Sequence, residues 1–135
     1  MDIVVWVLRI ALALAFIGMG VSHFLPSVRR TMRAMIPPAL RRPRFPSAAA
    51  LVAFTGVCEL AGGVGIALPW QLVGAEWMRW LVGLLLVAFL IAVFPANAYA
   101  AAHPEKFGRA AFPFWPRYLA QLGLILAVTL AAAPL

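Results

Sequence analysis

The chain has 135 residues, of which 65% are hydrophobic and only 11% charged, with a mean hydropathy of +0.99. So few charges cannot clothe a soluble surface, and so many apolar residues exclude a disordered chain, so the composition is that of an integral membrane protein. The formal charge of +7 would suit nucleic acid, but the basic residues fall between apolar runs rather than on a soluble face. That placement argues against nucleic-acid binding and makes them topology signals.

Four apolar runs read as helices, at about 3–24, 47–68, 76–102 and 115–133. At 1.5 Å per residue each is long enough to cross a ~30 Å hydrocarbon core. The first run reads as a retained helix rather than a signal peptide, because Met1 and Asp2 supply no basic start and the run exceeds the ~7–15 residue core of a signal. The longest connection, 25–46, is too short for a soluble domain. The sequence therefore predicts a single transmembrane domain over 1–135, an all-α polytopic four-helix bundle. In the first loop Ser27 is placed to cap a short interfacial helix, with Val28, Met32 and Met35 on one face and Arg29, Arg30 and Arg33 on others. Pro37, Pro38, Pro43 and Pro46 then favour an extended return.

Orientation follows from the basic residues. Arg29, Arg30, Arg33, Arg41, Arg42 and Arg44 in the first connection and Lys106, Arg109 and Arg117 in the third make nine of the eleven, all at one end of the bundle. The positive-inside rule predicts that this end is cytoplasmic, with both termini and the 69–75 turn outside an inner cell membrane. Trp6, Trp70, Trp77 and Trp80 gather near one boundary and Tyr99, Trp115 and Tyr118 near the other, as interfacial rings do.

The polar residues inside the spans carry the functional question. Glu59 is the one acid in an otherwise uncharged apolar run, and a carboxylate at the centre of a span costs roughly 2.5–3.5 kcal/mol, so it needs protein or trapped water and a partner. On the first helix Trp6, Arg9, Ala13, Phe16, Gly20 and His23 recur at spacings of three and four and form one inward stripe. Counted from the outer ends, Arg9 lies ~9 Å deep and Glu59 ~13 Å. An intramembrane Arg9–Glu59 ion pair is therefore expected. It serves either to neutralise two charges and fix helix register, or to make Glu59 a proton acceptor or ligand anchor.

A second polar layer is expected nearer the basic end, from His23, Asn97, His103, Tyr118 and Gln121. Pro95 withdraws the donor to the Ile91 carbonyl, which predicts a kink near Asn97. Two readings stand: a ligand site formed by His23, Asn97, Gln121 and Tyr118, or an Asn97 that caps the freed backbone with His23 wet among headgroups. Gly56, Gly62, Gly63 and Gly65 around Glu59 fit close helix packing. Thr55 and Cys58 fit backbone bonding and small-residue packing, and a single cysteine allows no internal disulfide or redox pair. The histidines lack metal-ligand spacing, no cysteine cluster or haem pair is present, and there is no phosphate-binding glycine loop or carboxylate dyad. No metal or haem is expected, and no complete catalytic site is visible in this chain alone.

The runs Gly18-Met19-Gly20-Val21-Ser22-His23-Phe24, Met35-Ile36-Pro37-Pro38, Thr55-Gly56-Val57-Cys58-Glu59-Leu60-Ala61-Gly62-Gly63 and Phe94-Pro95-Ala96-Asn97 together resemble the DoxX-like family of small integral membrane proteins. The resemblance implies a four-helix membrane protein in which Arg9 and Glu59 match the family's first-helix arginine and second-helix acid. It also implies roles as diverse as part of a thiosulfate:quinone oxidoreductase, membrane redox complexes and receptor assembly. The expected function is a non-autonomous accessory subunit of a membrane redox complex that binds a quinone or other lipophilic molecule. The expected partners are membrane lipids and a larger complex or a second copy. An assembly factor without a ligand and a small transporter are the alternatives.

Overall fold

The computed structural model describes residues 3–133, and all secondary structure among them is helical. The elements are α1 (Ile3–Ser22), α2 (Pro26–Met35), α3 (Ala48–Ala67), α4 (Trp77–Ala101), α5 (Pro104–Phe107) and α6 (Phe114–Ala132). α1, α3, α4 and α6 are long and apolar enough to cross a membrane, and their ends fall within two residues of the predicted runs.

Local chemistry sets the helix ends. Ser47 caps α3, its hydroxyl accepting from the Ala50 amide at 3.1 Å, which satisfies one of the orphan donors of a first turn. Between α3 and α4, Gly74 adopts φ +64°, a left-handed conformation that glycine takes without Cβ strain. The Trp70 indole donates to the Gly65 carbonyl at 2.8 Å and ties this turn back to α3. The helix in the first loop starts two residues earlier than expected. Pro26 opens α2 and Leu25 stands at the cap without a side-chain bond, so Ser27 lies inside the first turn rather than capping it. Proline's fixed φ and missing N–H suit that first position. Arg41 closes the other end, donating from Nε to the Ile36 carbonyl at 2.9 Å and from Nη2 to Ala34 at 2.6 Å.

α1 packs chiefly on α3, and α4 on α6. Glycines set the spacing. A Cβ on Gly56 would lie 2.7 Å from that of His23, and one on Gly20 would lie 2.9 Å from the Gly56 carbonyl oxygen, so α1 and α3 meet nearly backbone to backbone. Gly62 and Gly65 face the other way, against Leu86 and Val82 of α4. The common core is Leu12, Ala13, Phe16, Ile66, Leu86, Leu90, Val128, Ala131 and Ala132. Each long helix leaves large apolar side chains exposed, among them Leu14, Phe54, Leu84 and Leu126, an outer surface that requires a cover of lipid or protein.

Candidate ligand cavity

A cavity of about 430 Å³ opens at the end of the bundle that carries α2. Its walls are mostly apolar, with Met32 and Met35 from α2, Leu51 from α3 and Val93 from α4. Two polar pairs interrupt them. His23, the first residue past α1, pairs with Glu59 of α3, and α4 and α6 contribute Asn97 and Arg117.

His23 Nε2 lies 3.1 Å from Glu59 Oε2, and both side chains are buried. Glu59 Oε2 has no donor aligned on it, so this approach is an electrostatic pairing rather than a well-directed hydrogen bond. The other ring nitrogen is fixed. Nδ1 sits 2.9 Å from the Val52 carbonyl and 3.1 Å from the Thr55 hydroxyl, which itself donates to Val52 at 3.0 Å. A carbonyl only accepts, so the Nδ1 that faces Val52 carries the ring hydrogen, and Nε2 is left facing the Glu59 carboxyl group. At the second pair, Arg117 Nη1 donates to Asn97 Oδ1 at 2.5 Å and Nη2 to the Ala110 carbonyl at 3.0 Å. Arg117 Nε is buried without a partner.

The expected Arg9–Glu59 pair is not formed. Arg9 Nε donates to the Ala131 carbonyl of α6 at 2.8 Å, with its guanidinium 5.4 Å from the Trp6 ring. Rise per residue fixes the depth of a Cα atom, but helical side chains lean toward their helix N-terminus. α1 and α3 run in opposite directions, so Arg9 leans toward the turn between α3 and α4 while Glu59 leans toward α2. The same tilt carries His23 back along α1 to meet Glu59.

Of the other sequence candidates, His23 and Asn97 line the cavity, whereas Gln121 and Tyr118 lie outside its wall. Gln121 Nε2 donates to the Leu90 carbonyl at 2.5 Å, next to the Ile91 carbonyl that Pro95 leaves without its helical donor. α4 stays helical through Pro95. Tyr118 stacks on Phe114 at 6.0 Å and meets Phe94 edge-on at 5.8 Å. His103 turns back onto the Tyr99 carbonyl at 2.7 Å. Sequence reasoning missed Arg117 as a wall residue by treating it as a topology charge. Its spacing of four from Gln121 places both on one helix face, but Gln121 bonds the α4 backbone instead of lining the cavity, so that spacing did not mark Arg117 as a wall residue.

Among the described residues no group of three or more His, Cys, Asp or Glu is placed to hold a metal ion. Residues 12–134 match one family model, described as Domain of unknown function (DUF8561). The chain belongs to the DUF8561 family. The DUF8561 match takes in every residue of the cavity wall, while Arg9 precedes it. No curated protein and no solved structure matches the chain.

Proposed function

We propose that this DUF8561 protein is an accessory subunit of a membrane redox complex, embedded in the inner membrane as a four-helix bundle, and that it binds a quinone or similar lipophilic molecule. The observation that carries the reading is the cavity itself, where apolar walls join two separate polar pairs. Its volume falls in the range of roughly 300–1,000 Å³ common to small-ligand pockets. A quinone head offers two carbonyl oxygens, which accept from Arg117 and the Asn97 amide at one end and face His23 at the other. The tail lies along Met32, Met35, Leu51 and Val93, where flexible thioether side chains adapt to an apolar guest.

Reduction of a quinone takes two electrons and two protons. The His23–Glu59 pair supplies a site for proton exchange, and the electrons come from a redox partner, which is why the subunit is accessory rather than an enzyme alone. The resemblance to the DoxX-like family supports this role. In the bilayer the basic end faces the cytoplasm, as nine of eleven Lys and Arg residues favour, and both termini lie outside. α2 lies in the interface, its exposed Arg30 and Arg33 among headgroups and its methionines over the cavity.

Photolabelling of the purified chain with a reactive quinone analogue tests the reading. Labelling at Met32, Met35 or Val93 that excess unlabelled quinone suppresses, and that His23→Ala and Asn97→Ala weaken, supports it. Labelling that competitor leaves unchanged overturns it.

A further inference from the structure

The ionisable groups of the cavity wall are His23, Glu59 and Arg117, and their surroundings differ. Glu59 has a basic neighbour in His23 at 3.1 Å, so the one acid of the wall has a counter-group of its own. Arg117 has none. Among the described residues no carboxylate pairs with it, and the two groups it bonds, the Asn97 amide oxygen and the Ala110 carbonyl, are both neutral. Those bonds use two of the five N–H donors of a guanidinium and hold it half-buried. Nε has no acceptor either.

Asn97 adds a second donor to the wall. Its oxygen is taken by Arg117, which leaves the amide NH2 for a guest. The mouth of the cavity has the same sign. The segments at this end of the bundle carry eight Lys and Arg side chains besides Arg117, against the one acid Glu105, and such a field draws anions inward. Apolar walls also screen a cation less than water does, and a hydrogen bond to an ionised acceptor is about twice as strong as one to a neutral acceptor. An anionic head therefore gains more from this wall than a neutral one.

We propose that the guest of this cavity is a lipophilic acid bound as its anion, with one ionised oxygen on Arg117 and the Asn97 amide and its apolar body along Met32, Met35 and Leu51. This rests on the cavity being a lipophilic-ligand site, and it narrows the guest by charge. A quinone ring with an ionised hydroxyl and a long-chain carboxylate present the same chemistry.

The test is calorimetric titration of the purified full chain in dodecyl maltoside with two matched pairs of probes, titration into empty micelles being subtracted. Lawsone, a hydroxynaphthoquinone ionised at neutral pH, is compared with its methyl ether, and sodium dodecanoate with dodecanol. Wild type is expected to bind the charged member of a pair about tenfold tighter than the neutral one. Preference within the naphthoquinone pair alone assigns a hydroxyquinone, and preference within the alkyl pair alone assigns a long-chain acid. Arg117→Gln should abolish the preference. Should R117Q not fold, N97D serves, since it sets a carboxylate against Arg117 in place of the neutral amide and so supplies the anion from within. Equal affinities within both pairs in the wild type, or a preference undiminished in N97D, overturn the proposal and leave the cavity reading standing. Binding of none of the four probes overturns both.

Discussion

His23 and Glu59 meet at 3.1 Å beside the tight contact of Gly56 with the His23 Cβ, and the ring is held there from behind by the Val52 carbonyl. The pair is buried, so its members depend on each other. Removing His23 leaves a carboxylate without its counter-group, a loss of roughly 3–5 kcal/mol by comparison with other broken buried pairs. His23→Ala is therefore expected to unfold well below wild type. The double variant His23→Ala/Glu59→Gln should lose less than the sum of the two single changes, with a coupling of about 0.5–3 kcal/mol. Denaturation in mild detergent measures this, and strict additivity would count against the pair.

The close contact behind that pair rests on glycine. A methyl group on Gly56 meets the His23 Cβ at 2.7 Å, whereas one on Gly123 meets nothing within 4 Å. Gly56→Ala should cost about 1–3 kcal/mol through overpacking, and Gly123→Ala should be neutral or slightly stabilising through helix propensity. Equal melting temperatures for the two variants would show that α1 and α3 are not packed this tightly.

Gln121 and Asn97 separate support of the helix from the wall of the cavity. Gln121→Leu removes the side-chain donor to the Leu90 carbonyl beside the proline of α4, and is expected to cost the roughly 0.5–1.5 kcal/mol of one net hydrogen bond while leaving ligand affinity unchanged in the folded fraction. Asn97→Ala frees the Arg117 guanidinium from one of its two anchors. It should weaken quinone binding about tenfold, the equivalent of 1.4 kcal/mol. Equilibrium binding alongside a melting curve for each variant distinguishes the two effects, and a stability loss without an affinity loss at Asn97 would remove it from the site.

The number and extent of the four long helices were legible because they depend on unbroken apolar length, a local property of the chain, whereas the short α5 carried no such signal. The inward stripe of α1 was legible too, since Arg9, Ala13, Phe16 and Gly20 are all buried and follow a single period. What periodicity cannot carry is the rotation of one helix against another and the lean of each side chain. Arg9 and Glu59 stand at similar Cα depths, yet the opposite directions of α1 and α3 tip them apart and tip His23 toward Glu59. Arg79 escaped notice for a related reason. Two residues into α4 it looks like a boundary charge, yet the fold buries it, with Nη2 bonded to Gln71 Oε1. α2 was read as a basic amphipathic helix, but its role as a wall of the cavity depends on where the chain returns after Pro37.

Orientation is a separate expectation. A reporter enzyme fused after Leu135 should be active only outside the cytoplasm, and one inserted in the 41–46 segment only inside. A cytoplasmic signal from the C-terminal fusion would reverse the assignment of both ends, and with it the leaflet from which a ligand enters.

The most direct measurement is native mass spectrometry of the protein extracted gently in its own lipids, comparing wild type with Ala96→Trp, which fills the cavity from α4. The account predicts a quinone or similar lipophilic molecule retained at one per chain in the wild type and absent from a variant that still melts cooperatively. A stoichiometric protein partner with no retained small molecule, or a ligand retained equally by both proteins, would contradict it.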